Sequence, residues 1–328
     1  MTKALVVGTG SAGRRLAQNL QTLGLAVEVC SEHQRRSEFV LDGGSVPVHH
    51  DYRRALDGNP AIVVIANSTH LHADYAVAAL EQGRHLFLEK PAAQSASHAE
   101  PIARAAAAAP GAVVAICNQH RFNDCLQRLR DLLAGGELGP LISVQHNMGE
   151  FLPDYHPDED YRTGYAARAD MGGGVLLTQI HDVNLLHWLF GDLRVEFAAG
   201  GHTSSLEIDV EDNVDAVLST SDGVRILMHV DYLQRPKRRT LAVLGERGSA
   251  VWDHHANTLT FVPTTGVPSE LGPGVPLDRH AIALRVVDNF LAATRGLAEP
   301  RTSLADALAD LRVVDAIKSR LKSSGRGA

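Results

Sequence analysis

The N-terminus of the chain places a glycine-rich turn directly after an apolar segment typical of a β-strand. Ala4–Val7 is followed by Gly8-Thr9-Gly10-Ser11-Ala12-Gly13, and a helical pattern then continues to Leu23. In the G-x-G-x-x-G spacing the first glycine makes a tight turn, the second lets the backbone approach a pyrophosphate, and the third lets the helix pack on the strand. The pattern therefore predicts a dinucleotide site at a helix N-terminus, where the phosphate charge is favoured.

Strand-like and helical segments alternate over roughly the first 120 residues, a length typical of one domain. The predicted strands are Lys3–Val7, Ala26–Cys30, Val46–Val48, Ile62–Ala66, His85–Leu88 and Val113–Cys117, and the predicted helices are Ala12–Leu23, Asp74–Gln82 and Ser95–Ala108. Such alternation predicts a parallel sheet with helices on both faces.

The pattern changes after Asn123, where polar and apolar residues alternate between turn signals such as Ser221-Asp222-Gly223. The predicted strands are Leu141–Gly149, Val195–His202, Asn213–Thr220, Arg225–Leu233, Arg239–Gly245, Ser249–Asp253 and Thr258–Val262, and the predicted helices are Asp124–Ala134, Gly174–Phe190, Ala281–Arg295 and Ser303–Leu321. The sequence thus predicts an α/β protein. A Rossmann domain covers residues 1–122, and an α+β domain with a large, mostly antiparallel open sheet covers residues 123–328.

Length, charge and cysteine content narrow the class of protein. A chain of 328 residues favours two domains, and a formal net charge of −7 argues against general binding to nucleic acid or a membrane surface. The three cysteines, Cys30, Cys117 and Cys125, lack C-x-x-C spacing, which favours a reducing compartment. The first residues enter a strand without a signal-peptide pattern. We expect a cytoplasmic protein without nucleic-acid or membrane partners.

The end of the second predicted strand indicates which nicotinamide cofactor is preferred. An NAD site places an acid there to bond the ribose 2′-OH, whereas an NADP site uses a small polar residue with arginine nearby. Ser31 occupies the acid's usual place, and Arg35 and Arg36 could neutralise a 2′-phosphate. This favours NADP over NAD, although Glu32 leaves NAD open.

A lysine follows the apolar strand His85–Leu88, in the sequence Glu89-Lys90-Pro91. The carboxyl ends of strands are where open α/β sheets bind their ligands. A dinucleotide site and a lysine so placed indicate hydride transfer assisted by a proton donor. The small polar residues Asn67-Ser68-Thr69 also follow a strand and are expected to face the nicotinamide ribose.

A second glycine-rich segment, Gly172-Gly173-Gly174, precedes a helical pattern. Thr178, His181 and Asn184 stand three residues apart there, so they are expected to share one helix face. A histidine at such a place can carry a proton near neutral pH. A buried structural histidine is the alternative.

Several motifs occur together in a recognisable order and spacing. They are Gly8–Gly13, Thr69-His70-Leu71-His72, Glu89-Lys90-Pro91, Asn118-Gln119-His120-Arg121-Phe122 and Gly172–Gly191. With them the chain resembles the glucose–fructose oxidoreductase and inositol dehydrogenase (Gfo/Idh/MocA-type) family. The resemblance implies NAD(P)-dependent oxidation or reduction of a hydroxyl on a sugar, sugar derivative or cyclitol. It also implies dimers or tetramers built through the open sheet.

The resemblance implies roles for individual residues, with Lys90 and His181 as the catalytic pair. The predicted cofactor-binding residues are Gly8, Gly10, Ser11, Ala12, Gly13, Ser31, Glu32, Arg35, Arg36, Asn67, Ser68, Thr69, His72, Glu89, Lys90 and Gln119. The predicted substrate-binding residues are Lys90, Arg121, Tyr155, Tyr161, Arg162, Arg168, Thr178, His181 and Asn184.

The chain departs from the family near His181. Many members carry an acid shortly before that histidine and another three residues after it, where this chain has Leu177-Thr178 and Asn184. An altered proton relay, an unusual substrate or reduced activity would follow. The segment 152–162, with Arg168, resembles a branch associated with carbohydrate biosynthesis and suits an anionic or polyhydroxylated ligand; an ordinary surface loop is the alternative.

Two other functions stay open. A non-catalytic NAD(P)-binding sensor or partner protein could use the same fold, because fold alone does not decide function. A metal-dependent lyase or hydrolase is a more distant alternative. His70 and His72 stand two residues apart, but no carboxylate or cysteine cluster joins them, so no metal site is expected.

Association is expected through the C-terminal sheet. The sequence predicts that Val217, Ile226, Met228 and Val230 fall on alternating strand positions, which would give an apolar face available for burial. A homodimer or homotetramer is expected.

Overall fold

The computed structural model describes residues 1–32, 37–155 and 157–324, without the side chains of 322–324. Its strands are β1 Lys3–Val7, β2 Ala26–Cys30, β3 Glu38–Leu41, β4 Gly44–His49, β5 Ile62–Ile65, β6 His85–Leu88, β7 Val114–Ile116, β8 Leu141–Gly149, β9 Leu193–Gly201, β10 Asn213–Thr220, β11 Arg225–Asp231, β12 Arg238–Gly245, β13 Gly248–Asp253, β14 Thr258–Pro263 and β15 Ser269–Glu270. Its α-helices are α1 Ser11–Thr22, α2 Tyr52–Asp57, α3 His72–Glu81, α4 Ala96–Ala108, α5 Asp124–Ala134, α6 Val175–Thr178, α7 Ile180–Phe190, α8 Arg279–Thr294 and α9 Leu304–Ser324. Among the described residues, no helix has both the length and the apolar composition needed to cross a bilayer.

The chain forms two compact units. The first contains Met1–Gln119 and His280–Leu308, and its seven-stranded sheet has the order β3-β4-β2-β1-β5-β6-β7. All its neighbouring strands are parallel except the β3–β4 hairpin. The strand order reverses at β1, since β2 lies on one side of it and β5 on the other. Ligands of open α/β sheets bind at such a switch point, at the carboxyl ends of the strands. The predicted Rossmann architecture is confirmed.

The two compact units differ from the two predicted domains, which divide at residue 122. The segment His280–Leu308 belongs to the first unit because its side chains and backbone complete that unit's core. Phe290 of α8 is fully buried with its ring centroid 5.1 Å from that of Phe87 in β6. The Ile116 N–H also donates to the Thr302 carbonyl at 3.0 Å. The functional division into 1–122 and 123–328 stays a prediction.

The second unit contains His120–Arg279 and the chain from Ala309 onward. Its eight-stranded sheet has the order β15-β14-β13-β12-β8-β11-β10-β9, with every neighbouring pair antiparallel except the parallel pair β8–β11. This confirms the mostly antiparallel sheet. One of its faces is buried: Met228, His146, Leu241 and Trp252 are register neighbours across four strands, and each is at most 2% exposed.

The residues predicted to form the free face of this sheet lie on two different faces. Ile226, Met228 and Val230 are buried, whereas Val217 pairs with the exposed Leu227 on the opposite face. Successive strand residues point to opposite faces, so a shift of one residue exchanges the faces. That assignment of the apolar face was wrong for these three residues.

The helix predicted over Gly174–Phe190 is divided in two. Gln179 has φ −103° and ψ 25°, which ends α6 at Thr178 and lets α7 begin at Ile180. Thr178 and His181 therefore do not share the face of one continuous helix, and the expectation was wrong for Thr178. His181 and Asn184 both lie on α7, three residues apart.

Candidate functional site

Three glycines shape the turn between β1 and α1. Gly8 has φ +109°, and a Cβ there would lie 2.6 Å from the Ala66 carbonyl oxygen. A Cβ on Gly13 would collide with the Gly8 carbonyl oxygen. By contrast, a Cβ on Gly10 would meet no described atom within 4 Å beyond its chain neighbours. The first and third glycines are thus required for close packing, whereas the second keeps a space open at the helix N-terminus.

The open space at Gly10 suits a phosphate group. Gly10 is the N-cap of α1, where the structure shows no side-chain cap hydrogen bond and no acidic residue in the first turn. First-turn N–H groups have no intrahelical acceptor and carry the positive end of the helix dipole. Ser11, Ala12 and Gly13 supply this turn at the carboxyl end of β1. The residues present fit a dinucleotide pyrophosphate.

The predicted ribose-reading residues lie next to this turn. Ser31 directly follows β2, and the Thr9 hydroxyl donates to the Ser31 hydroxyl at 3.4 Å. Glu32 is exposed, and burial together with a hydrogen bond to Glu32 raises the pKa of Tyr75. Arg35 and Arg36 lie outside the described residues.

His72 connects two loops at the carboxyl edge of the first sheet. Its ring is 1% exposed, with Nδ1 2.9 Å from the Pro91 carbonyl oxygen and Nε2 3.0 Å from the Asn67 carbonyl oxygen. Burial lowers the pKa of His72, while the two carbonyl groups oppose that shift. His72 thus fixes the loop after β5 to the loop after β6. Ser68 and Thr69 lie in the former loop.

Glu89 and Lys90 follow β6. The Glu89 side chain is 10% exposed and accepts from Arg15 of α1 at 3.1 Å and from the Lys90 N–H at 3.2 Å. The Lys90 side chain is partly exposed. Gln119 follows β7 and is also partly exposed. Each of these residues therefore lies at the carboxyl end of a strand, the edge expected to hold the cofactor.

In the second unit, the carboxylate of Asp182 lies at the centre of a buried cluster. Asp182 is fully buried on α7, and His146 Nε2 lies 3.2 Å and Arg239 Nε 3.3 Å from its Oδ1. His120 Nε2 lies 3.7 Å from Oδ1, and His181 Nε2 lies 3.8 Å from Oδ2. We name these five residues, His120, His146, His181, Asp182 and Arg239, the Asp182 cluster.

Charges and burial decide the protonation of this cluster. Burial alone would raise the pKa of Asp182, but Arg239, His181 and His146 outweigh it and hold that pKa well below its usual range. Burial lowers the pKa of His120, although Asp182 opposes the shift. Burial, His120 and Arg239 lower the pKa of the neighbouring His254 to about 2. The cluster therefore contains an ionised carboxylate beside the imidazole of His120, which burial drives toward the neutral form.

A metal ion is poorly suited to this place. Ligand atoms of His120, His181 and Asp182 lie within 4.8 Å of one another, a separation that a metal could bridge. However, the Arg239 guanidinium already lies against the same carboxylate. Its charge is permanent and would repel a cation.

Tyr155 and Tyr232 form hydrogen bonds with residues at the C-terminal end of α6. Gln179 at the helix break donates to the Tyr155 hydroxyl at 2.7 Å and accepts from Arg239 at 2.7 Å. The Tyr232 hydroxyl donates to the Thr178 hydroxyl at 2.7 Å. Thr178 is 3% exposed. The helix break thus links Tyr155 to the Asp182 cluster, while Thr178 contacts Tyr232.

Asn184 and Arg121 belong to a different buried network. Arg121 donates to Asn184 Oδ1 at 3.1 Å, and Asn184 donates to Asp310 of α9 at 2.7 Å. His187 Nδ1 lies 3.1 Å from the other oxygen of Asp310. Both predicted substrate-binding residues are therefore committed to partners within the protein, with Arg121 6% exposed and Asn184 fully buried. Their role with substrate stays a prediction.

The arginines predicted to bind substrate near residue 160 lie in exposed turns. Arg162 pairs with Asp160 at 2.8 Å and with Glu207 at 3.4 Å, and Arg168 pairs with Asp170 at 3.1 Å. The Tyr161 hydroxyl accepts from the Glu207 N–H at 3.3 Å. The structure does not bring these three residues into the Asp182 cluster.

Family profiles match most of the chain. The profile of the oxidoreductase family with the NAD-binding Rossmann fold matches residues 2–116, and that of the GFO/IDH/MocA C-terminal domain matches residues 126–251. The inositol 2-dehydrogenase of Salmonella typhimurium (strain LT2) is 27% identical over 241 residues, which cover 70% of this chain and 66% of that protein. The 1,5-anhydro-D-fructose reductase of Ensifer adhaerens is 27% identical over 253 residues, covering 75% of this chain and 73% of that protein.

Solved structures show the same fold. The WlbA dehydrogenase from Bordetella pertussis, in complex with NADH and UDP-GlcNAcA, has a TM-score of 0.82 at 21% identity, covering 98% of this chain and 96% of that one. A levoglucosan dehydrogenase in complex with NADH and levoglucosan has a TM-score of 0.83 at 16% identity, covering 98% and 97%. Because the two family profiles together span most of the sequence, the chain belongs to the GFO/IDH/MocA oxidoreductase family.

Proposed function

We propose that the protein is an NAD(P)-dependent dehydrogenase or reductase. It would transfer a hydride to or from a secondary hydroxyl or ketone of a sugar, sugar derivative or cyclitol. The observation that carries the proposal is the turn at Gly8–Gly13, which leaves the helix N-terminus at Gly10 open at the switch point of the first sheet. The names of the relatives, an inositol dehydrogenase and an anhydrofructose reductase, support the substrate class.

The chemistry requires a proton carrier supplied by the protein. The bound nicotinamide would accept or donate the hydride. In oxidation, the carbinol carbon loses a hydride and its oxygen loses a proton, and an unassisted carbinol is too weak an acid to lose that proton near pH 7. We assign this proton to His181, alone or shared with Lys90. Lys90 would also hydrogen-bond the cofactor ribose and the reacting oxygen.

A substrate screen tests this function. The protein is incubated with oxidised and reduced forms of both cofactors and with sugars, sugar phosphates, nucleotide sugars and cyclitols, while nicotinamide absorbance is followed. Turnover of one class supports the proposal. If no compound changes the absorbance although the cofactor binds, the protein is a sensor or partner protein. The apolar Leu177, 2% exposed at a place where many relatives carry an acid, favours that alternative.

We expect NADP(H) to bind more tightly than NAD(H). Ser31, a small polar residue, follows β2 where an NAD site places an acid, and Arg35 and Arg36 follow closely in sequence. A charge-assisted hydrogen bond contributes about 1.5–3 kcal/mol, which corresponds to at least about a tenfold preference. Calorimetric titration of both cofactors measures it. Replacing both arginines with glutamine should remove the preference, whereas tighter NAD(H) binding that is weakened by Glu32→Gln would reverse the assignment.

We also propose that the protein forms a homodimer or homotetramer through the uncovered face of the second sheet. Phe197, Val217 and Leu227 are register neighbours on that face, and Phe197 and Leu227 are 56% and 48% exposed. Val251 and Leu244 add exposed apolar area on β13 and β12. An apolar sheet face of this extent indicates an interaction surface.

Two matched variants test the proposed association through the second sheet. Leu227→Asp places a charge in the uncovered face and should convert the assembly to monomers in light scattering at micromolar concentration. Val40→Asp, at a 63% exposed position on edge strand β3 of the first sheet, should leave the assembly unchanged. A monomeric parent chain would contradict the proposal.

The free, buried cysteines Cys30, Cys117 and Cys125 are compatible with the cytoplasmic location that we propose.

A further inference from the structure

The Asp182 carboxylate is an unusual buried group. It lies on α7 among apolar neighbours such as Val183 and Leu186, and it is fully buried. Neither of its oxygens has a partner with hydrogen-bond geometry among the described residues, although four basic side chains lie within 4 Å. Burying an ionised carboxylate costs several kcal/mol unless it is paired. A buried charge that lacks good hydrogen bonds is more typical of a functional site than of a packing position.

The groups around Asp182 come from separate elements. His146 is on β8, Arg239 on β12, and His120 in the 3₁₀ turn before α5, while His181 precedes Asp182 on α7. His254, after β13, contacts His120 with ring centroids 5.9 Å apart. The rings of His120 and His181 are 4.9 Å apart. The carboxylate is thus surrounded by one permanent cation and three imidazoles.

Solvent access distinguishes His181 from the other two imidazoles near the carboxylate. The side chain of His181 is 17% exposed, whereas those of His120 and His146 are 7% and 0% exposed. A proton carrier must exchange with substrate or water, and His181 is the best placed of the three to do so. A nearby carboxylate favours the protonated form of an imidazole, and Arg239 opposes this effect.

Building on the proposed function, we propose that Asp182 is the positioning residue for proton transfer. Its carboxylate stabilises the His181 imidazolium and orients that ring, while Arg239 limits the stabilisation so that His181 can still release the proton. Asp182 would act where the family's usual acids are replaced by Leu177, Thr178 and Asn184. In reduction, His181 donates its proton to the oxygen that forms as hydride reaches the carbonyl carbon; in oxidation it accepts that proton.

Two substitutions with opposite expected signs test this assignment. Asp182→Asn removes the negative charge at nearly constant volume, and Arg239→Gln removes the positive charge. An opposite charge within about 4–6 Å changes an apparent pKa by 1–3 units. In Asp182→Asn, the pH profile of kcat should move to lower pH by about one unit or more. In Arg239→Gln, it should move to higher pH.

A matched control separates charge from general destabilisation. Asp212 is also fully buried, but its oxygens accept from Thr203 and Ser204. Asp212→Asn should lower the melting temperature without moving the pH profile. If Asp182→Asn does not fold, the upward shift in Arg239→Gln carries the test alone. Folded variants whose profiles coincide with that of the parent chain would overturn the proposal.

A measurement without substrate distinguishes this inference from the proposed function. The ring signal of His181, assigned by its loss in His181→Asn, is titrated by NMR in the parent chain and both variants. If the His181 titration shifts in the two expected directions, the coupling between Asp182, Arg239 and His181 is supported. This holds even if the parent chain turns over no substrate, and only the proposed function then fails. An active parent chain with no change in this titration would refute the coupling and leave the function standing.

Discussion

Replacing His181 with asparagine is expected to lower turnover by about 10²–10⁴-fold, the usual size of a general acid–base contribution. The affinity for the cofactor should stay near that of the parent chain, because His181 belongs to the second unit and the predicted cofactor residues belong to the first. Steady-state kinetics on the substrate found by screening, together with fluorescence titration of the cofactor, measure both quantities.

Lys90→Ala gives the contrasting result, since Lys90 is proposed to contact the cofactor as well as the substrate. Both turnover and cofactor affinity should fall. His255→Asn is the control for His181, because His255 is an exposed histidine of the same unit. If His181→Asn turns over at the parent rate, His181 is a packing residue and Lys90 acts alone.

Replacing Gly10 with aspartate is expected to weaken cofactor binding by roughly 100-fold or more, because the new carboxylate would stand beside the pyrophosphate. Stability should not fall. Gly10 has φ −68°, which any residue can adopt, and a Cβ there meets no described atom within 4 Å beyond its chain neighbours. Aspartate is also a better helix N-cap than glycine, by a few tenths of a kcal/mol. Calorimetric titration and thermal unfolding measure the two effects.

Gly111→Asp is the matched control for this substitution. Gly111 also has open space at its Cβ and lies in the first unit, in the turn before β7. The same change of charge there should leave cofactor affinity unchanged. Equal loss of affinity in both variants would indicate general electrostatic repulsion, and unchanged affinity in Gly10→Asp would place the pyrophosphate elsewhere.

The parallel half of the fold follows from local sequence signals. Lys3–Val7 and His85–Leu88 are predicted to the residue because apolar runs and glycine turns bound them. The hairpin strand Glu38–Leu41 and the short helix Tyr52–Asp57 have weaker patterns and were not predicted. The break at Gln179 also escapes local reasoning, because the apolar periodicity continues across it.

The candidate site is less predictable because distant residues build it. Asp182 stands next to His181 in the sequence, and an acid within an apolar helix was an available signal. The residues that surround Asp182 could not be predicted from the sequence. His146 and Arg239 are about 90 residues apart, on strands that pair in the sheet, and both side chains reach Asp182 on α7.

The two compact units interleave along the chain, and this orders events during synthesis. The seven strands of the first unit are all made by Ile116, but Phe290 and Thr302, which complete its core and its β7 edge, follow about 170–190 residues later. At roughly 5–20 residues per second, the ribosome needs about 10–40 s to reach them. During that time the Phe87 surface and the β7 edge remain uncovered on the nascent chain. The first unit is therefore expected to need chaperone protection before the second unit is finished.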